Sequence, residues 1–286
     1  MKKTILSLLV AVGLIGSAVA QTPTGDLANG LVSFYSFDGN ANDSVGGNNF
    51  TEFTSGTSFT AGRFGNVNGA CNLHSYADSI TTQNNLNLPT GGPFTVSIWS
   101  KPSSTAVCWD GVNADGGSLV QFGKLNSVMS NYGGWFDMRF LTKDRGGIIL
   151  VDGSWSQIEH NNAFSEIFDQ WHQFIYTYDN SISNSKFYID GVQVSTLPGW
   201  SNLTDVRNIV NTPLSVGDYV YSLNGNTSGA IADTPFSDLG IWNTALSSSQ
   251  VSQLYTLQSA PEPSTYALFG IGTIGLLIVM WRKKAV

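Results

Sequence analysis

The chain has 286 residues, 42% of them hydrophobic, with 13 Lys and Arg against 20 Asp and Glu and a formal net charge of −7. That is enough chain to bury a sizeable core, and it is too acidic to offer the basic face that nucleic acid or an anionic membrane surface requires. Two cysteines, Cys71 and Cys108, exclude a disulfide-stapled miniprotein or a structural zinc site, so stability has to come from the core.

Residues 1–20 read as a secretory signal peptide. Lys2 and Lys3 lead, an apolar run covers 5–16, and Ser17, Ala18, Val19 and Ala20 close it with small residues where signal peptidase inspects the chain. Without the two ends, the body 21–258 keeps 8 basic and 19 acidic residues, about −11. Apart from Glu52, Glu159 and Glu166 these acids are Asp, mostly in Gly- and Asn-rich stretches that suit turns or hard cations. In an oxidising compartment Cys71 and Cys108 are a candidate disulfide, with two buried thiols as the alternative.

Along the body, helical periodicity is nearly absent before Ser247, and strand-length runs of β-branched and aromatic residues recur between turn-forming clusters. LVSFYSF, FTVSIWSKP, SLVQFG, WFDMRFL, GGIILVD, HQFIYTYD, KFYIDGVQVST, PLSVGDY and LGIWN together spell an all-β domain. Alternation in FTVSIWS sets Phe94, Val96 and Ile98 against Thr95, Ser97 and Trp99, which predicts one buried side and a mixed side facing water or a second layer. Asp190-Gly191 is the strongest hairpin signal and pairs 186–189 with 192–195. The one helical pattern follows Ser247, which caps with Gln250, while Val251, Leu254 and Tyr255 share a face. No repeat or internal linker interrupts 21–258, so one domain is expected.

The carboxylates argue against a glycosidase. A retaining enzyme needs two carboxyl groups ~5 Å apart. Read as a strand, EIFDQ at 166–170 places Glu166, Phe168 and Gln170 on one face and Asp169 on the other. Glu159 and Glu166 flanking His160 read better as an exposed loop. There is no nucleophile elbow, no His-Glu-x-x-His and no phosphate loop, and His74, His160 and His172 supply little material for a metal cluster or a triad. The body therefore reads as no enzyme. Asp38, Asn40, Asn42 and Asp43 make an oxygen-rich loop that suits calcium or, equally, an Asx turn. Trp109, Trp135, Trp155 and Trp200 lie in or beside a loop-rich region and are candidates for stacking on sugar faces, with core burial the alternative for each.

The chain closes on PEPSTYALFGIGTIGLLIVMWRKKAV, residues 261–286. Its apolar run 266–281 makes a helix of about 24 Å, short of the ~30 Å hydrocarbon core. Tyr266 and Trp281 sit where interfacial aromatics belong, and Arg282, Lys283 and Lys284 would stay cytoplasmic, so the body faces outward. Pro261, Glu262 and Pro263, the short apolar helix and the basic end closely resemble the PEP-CTERM sorting signal of Gram-negative bacteria that make extracellular polysaccharide. For the segment 259–286 this resemblance implies an exosortase-type processing enzyme, a transient inner-membrane anchor, and delivery to the cell surface or matrix.

Five segments in chain order, LVSFYSFDGNANDSVGGNN (31–49), GRFGN (62–66), FTVSIWSKP (94–102), WHQFIYTYDNSISNSKFYIDGVQVST (171–196) and FSDLGIWNTALSSSQVSQLY (236–255), resemble the laminin-G-like jelly roll of the concanavalin A-like superfamily. Residues 106–167 diverge from it. The resemblance implies two antiparallel sheets of six or seven strands each, packed face to face. It also implies a structural calcium held by the opening loop and the closing strand, at Asp38, Asp43 and Asp238, with Ser237 where a second acid is often found. Relatives that cleave β-glucans carry Glu-x-Asp-x-x-Glu, which this chain lacks. The expectation is a non-catalytic extracellular module that binds polysaccharide or a surface protein. The alternatives are a polysaccharide-active glycoside hydrolase with its carboxylates in 106–167, and a purely structural matrix protein.

Overall fold

Runs of β-branched and aromatic residues form strands along the body, and these pair antiparallel. The computed structural model describes residues 21–75, 78–86, 88–89, 92–104, 117–123, 135–140, 148–151, 167–179, 186–196, 213–217 and 233–260. The leader 1–20, the tail 261–286 with its Pro-Glu-Pro and basic residues, Cys108, Trp109, Trp155, Trp200, Glu159 and Glu166 lie outside them.

A 3-10 turn at Gly25–Ala28 precedes β1 (Leu31–Tyr35), β2 (Phe50–Phe53), β3 (Thr57–Thr60), β4 (Ala70–Leu73), β5 (Ser79–Asn85), β6 (Phe94–Ser100) and β7 (Gly117–Gly123). Then come β8 (Trp135–Phe140), β9 (Ile148–Val151), β10 (His172–Tyr178), β11 (Lys186–Ile189), β12 (Val192–Thr196), β13 (Pro213–Gly217), β14 (Phe236–Trp242) and the closing helix α1 (Ser248–Ser259). Among the described residues one sheet has eight strands, in the order β12-β11-β10-β6-β14-β4-β3 with β1 also on β14, and the other has six, in the order β2-β5-β13-β7-β8-β9. The expectation of six or seven strands per sheet is therefore off by one for the larger sheet.

The two sheets meet through aromatic rings. Phe94 of β6 has its ring centroid 5.5 Å from both Phe122 of β7 and Phe136 of β8, and 5.4 Å from Tyr178 of β10. Ile80, Val120, Leu214, Val216, Leu239 and Ile241 fill the same core. Burial of this apolar surface is the main favourable term in folding.

The eight-stranded sheet is covered on its outer face as well. Ile175, Tyr188 and Trp242 pack there against Leu27, Leu246, Val251 and Leu254. All seven residues of β6 and of β14 are consequently buried. The mixed side of β6 meets a second layer rather than water: Thr95 Oγ1 donates to the Thr244 carbonyl at 2.8 Å and accepts from the Leu246 N–H at 2.9 Å.

Local signals produce the turns expected of them. Asp190 and Gly191 both take positive φ, 51° and 76°, the conformation of a tight two-residue hairpin between β11 and β12. Ser247 and Gln250 form a reciprocal capping box at the start of α1. Residues 167–170 are a turn and not a strand, with Asp169 at φ 62° accepting hydrogen bonds from Ser104, so the strand alternation expected for EIFDQ does not apply there. The turn forms because a left-handed Asp breaks the extended run.

Leu254 is fully buried between α1 and the sheet. Leu254→Ala is expected to cost about 2–5 kcal/mol, read as a lowered midpoint in chemical denaturation.

Candidate functional site

The loop after β1 is organised by one carboxylate. Asp43 Oδ1 accepts the backbone N–H groups of Phe34, Val45 and Gly46, each at 3.0 Å, and Oδ2 accepts that of Asn48 at 3.1 Å. Four donors converge on a residue that is 8% exposed. Its own N–H donates to Asn49 Oδ1 at 2.8 Å. Charge-assisted bonds of this kind are about twice as strong as neutral ones, so the Asn/Gly-rich run folds around Asp43. Tyr35 lies against the same loop and donates to the Asn48 carbonyl at 2.7 Å; burial first, and then the Asp43 charge, raise its phenol well above the usual tyrosine range.

The second cluster centres on a buried cation. Arg63, from GRFGN, donates through Nη1 to Asp238 Oδ2 and through Nη2 to the Gln258 carbonyl at 2.6 Å. Its guanidinium lies 4.3 Å from the Trp99 ring centroid and 4.4 Å from that of Phe64, a cation held between aromatic faces. Trp99 Nε1 and Gln173 Nε2 donate to Gln258 Oε1 at 3.1 and 2.8 Å, and Tyr255 stacks on Trp99. One arginine thereby joins the loop after β3, the β6 surface, the closing strand and the C-terminal end of α1.

A backbone irregularity aims Asp238 at it. The register of β14 against β6 shifts between Ser237 and Gly240, and Asp238 takes φ 51°. This bulge lets Phe236 and Leu239 both reach the inner core, while the intervening acid turns outward to Arg63. Burial pushes the Asp238 carboxyl up to about 6, against the opposing pull of Arg63. The same burial lowers Arg63 from its ordinary value, against the support of Asp238. Each charge persists because the other answers it.

The residues expected to hold calcium are thus committed to other partners. Asp43 is taken up by backbone N–H groups, Asp238 accepts from Arg63 and from Ser237 Oγ at 3.0 Å, and Asp38 Oδ1 accepts from Asn66 Nδ2 at 2.7 Å. Among the described residues no group of three or more His, Cys, Asp or Glu is placed to hold a metal ion. Calcium takes 6 to 8 oxygens, carbonyls and waters among them, and each of the three carboxylates expected to hold it already accepts hydrogen bonds from protein donors. The positive charge shared by the opening region and the closing strand is the guanidinium of Arg63. Nothing local in GRFGN singles Arg63 out, because the carboxylate that answers it lies 175 positions away.

Of the other candidates, Trp135 opens β8, and Trp109, Trp155 and Trp200 lie outside the described residues. Cys71 is a buried thiol whose pKa burial pushes up to about 12; its pairing with Cys108 falls outside the described residues because Cys108 does. His172 is a structural residue: its Nδ1 lies 2.6 Å from Asp190 Oδ2, and it braces the hairpin.

Two outcomes follow for the buried pair. Asp238→Ala leaves an uncompensated guanidinium and should cost about 3–5 kcal/mol, whereas Arg63→Met with Asp238→Leu should recover most of that loss. Asp238 has a folded pKa of about 6 and an unfolded one of about 3.9, so between those values the native state binds more protons than the unfolded state. Its contribution is present below the lower value and lost as pH rises through about 6. Urea midpoints of wild type measured against the double variant should therefore decline across that window.

Residues 74–252 match the family described as the concanavalin A-like lectin/glucanases superfamily, and residues 259–284 match the PEP-CTERM protein-sorting motif. No curated protein matches the chain. Among solved structures, the fold resembles domain 4 of AbnA, a GH43 extracellular arabinanase from Geobacillus stearothermophilus, in complex with arabinotriose. The identity is 21% and the TM-score 0.55, over 79% of this chain and 98% of that one. It also resembles the binding domain of Paraclostridial Mosquitocidal Protein 1, at 19% identity and TM-score 0.55 over 79% of this chain and 52% of that one. A third likeness is to the botulinum neurotoxin serotype D binding domain, at 17% and 0.53 over 79% and 50%. The chain spans about half the length of the two toxin domains, and at these identities the likeness carries the fold alone. The sorting motif implies export, exosortase processing and cell-surface sorting. With the family matched over more than half its length, the chain belongs to the concanavalin A-like lectin/glucanases superfamily and ends in a PEP-CTERM protein-sorting motif.

Proposed function

We propose that the body 21–258 is an exported binding module that takes extracellular polysaccharide and does not cleave glycosidic bonds. The observation that carries this reading is the junction between fold and address. Helix α1 ends at Ser259, its Gln258 carbonyl is held by Arg63, and the sorting motif begins at residue 259. Processing anywhere within the motif would release a complete sandwich among matrix polysaccharides. The arabinanase domain solved with arabinotriose supports a carbohydrate ligand for this architecture. The lack of Glu-x-Asp-x-x-Glu in the sequence supports binding over hydrolysis. Trp109, Trp135, Trp155 and Trp200 remain the proposed stacking residues, because indole rings match the apolar faces of sugars.

Affinity electrophoresis of residues 21–260 in gels cast with matrix polysaccharides, arabinan and β-glucans tests this. Retardation on at least one polymer is expected, with no shortening of that polymer. Single Trp→Ala changes at contact positions should weaken retardation by about tenfold, or ~1–3 kcal/mol as for other aromatic stacking. EDTA should leave retardation unchanged, since Arg63 supplies the internal cation; a loss restored by calcium would return the opening loop to a calcium role. Migration unaffected by every polymer would sink the binding reading, and polymer cleavage abolished by Glu166→Gln would replace it with the hydrolase.

A further inference from the structure

Three residues far apart in the sequence meet at the β3 edge of the eight-stranded sheet. Ser58 lies on β3, His74 directly follows β4, and Asp233 comes shortly before β14. The Ser58 hydroxyl is 2.7 Å from His74 Nε2, and His74 Nδ1 is 3.1 Å from Asp233 Oδ1. Nδ1 faces two groups, the Asp233 carboxylate at 3.1 Å, which only accepts, and the Asn72 amide Nδ2 at 3.3 Å, which only donates. The nearer, charged acceptor favours the proton on Nδ1, and Nε2 then presents its lone pair to the hydroxyl. Hydroxyl, imidazole and carboxylate in this order are the nucleophile, base and orienting group of nucleophilic serine chemistry, and such a set is recognised by geometry rather than by chain position.

The two partners of Ser58 are braced. The His74 N–H donates to the Gly56 carbonyl at 3.1 Å, and the Asp233 N–H donates to the Leu73 carbonyl at 2.6 Å. Asp233 is held in the left-handed region, at φ 52°, a conformation that accumulates where side chains are positioned for work. Beside them the buried Asp78 ties the turn before Ser58 to the residue after His74. Its Oδ1 accepts from Thr54 Oγ1 at 2.8 Å and from the Gly56 N–H at 3.2 Å, and its Oδ2 accepts from the Ser75 N–H at 2.7 Å. A Cβ at position 56 would fall 1.9 Å from Asp78 Oδ2, so this close approach requires glycine. The His74 and Asp233 side chains are 50% and 66% exposed. The set therefore opens onto solvent, within reach of a substituent carried on a large polymer.

We propose that Ser58, His74 and Asp233 form an acyl-transfer site that removes small acyl esters from polysaccharide hydroxyls. The choice of polymer rests on the binding role proposed above; the chemistry does not. Ser58 Oγ attacks the ester carbonyl carbon while its proton passes to His74 Nε2. The bond from that carbon to the sugar oxygen breaks, and the sugar oxygen takes the proton from His74. Water then attacks the acyl-serine with His74 again as base, releasing a carboxylic acid and restoring the Ser58 hydroxyl. Ser58 and His74 are the catalytic residues, and Asp233 is a positioning residue.

The test uses p-nitrophenyl acetate and a fluorophosphonate probe on residues 21–260, so that it does not depend on glycan binding. Peptide mass spectrometry should find one adduct per chain, on Ser58. Ser58→Ala and His74→Gln should each lower nitrophenol release by about 100-fold, the low end of what a positioned base contributes, with circular dichroism and thermal midpoint unchanged. Asp233→Asn tolerates the same left-handed backbone; it should lower release and shift the 15N signals of the His74 ring away from the Nδ1–H tautomer, which a merely structural residue would not do. No adduct on Ser58, or release that survives Ser58→Ala even where His74→Gln removes it, overturns the proposal. Loss of polysaccharide retardation with Ser58 acylation intact would instead count against the binding reading alone.

Discussion

A charged pair buried between two hydrophobic layers is the constraint around which this sandwich closes. Arg63 and Asp238 are both nearly inaccessible, and ions in such a place are costly unless each satisfies the other. They are tolerated because most of what surrounds them converges: two aromatic faces on the guanidinium, a serine hydroxyl on the carboxylate, and the Gln258 carbonyl on the second terminal guanidinium nitrogen. That carbonyl belongs to the last turn of α1, where the backbone has no partners of its own. The clamp thus ends the helix, holds it to the sheet, and makes the eight-stranded sheet an inner layer with cover on both faces.

The opening loop solves a related problem with the opposite charge. Asn- and Gly-rich residues have weak local preferences and many backbone donors to satisfy, and Asp43 collects four of them. Family resemblance points to calcium at this end of the fold. In this chain the loop is organised by backbone donors on one carboxylate, and the acid on the closing strand is answered by an arginine.

Architecture and destination meet at one residue. The last turn of α1 is locked into the sandwich, and the sorting motif starts where that lock ends. A folded body can then be separated from its address without losing any of its core, because Val251 and Leu254 lie earlier on the helix. Such an arrangement suits a module that must keep its shape after release.

Much of the architecture was legible in the sequence because its causes are local. Alternation and β-branched runs marked β1 and β6 to β14 but not the short, polar β2 to β5, the positive-φ preference of Asp-Gly placed the β11–β12 hairpin, and Ser247 with Gln250 marked the start of α1. Motif order likewise pointed to the family and the sorting tail. EIFDQ, whose strand reading offered no carboxylate pair, is a turn at 167–170 with a left-handed Asp169. The candidate sites were less legible, since they depend on pairs far apart in the chain. Arg63 and Asp238 are separated by 175 positions, and His74 and Asp233 by 159. A bulge at Asp238 reverses the face that strict alternation assigns it, and nothing in a lone serine, histidine or aspartate announces the others. By itself, then, the sequence determined most of the elements, their order and the address, because backbone preference and side-chain period act over a few residues. Which charges answer each other, and which hydroxyl faces which imidazole, was decided only by tertiary structure, because closing two sheets and a helix on one another is what brings distant side chains within bonding distance.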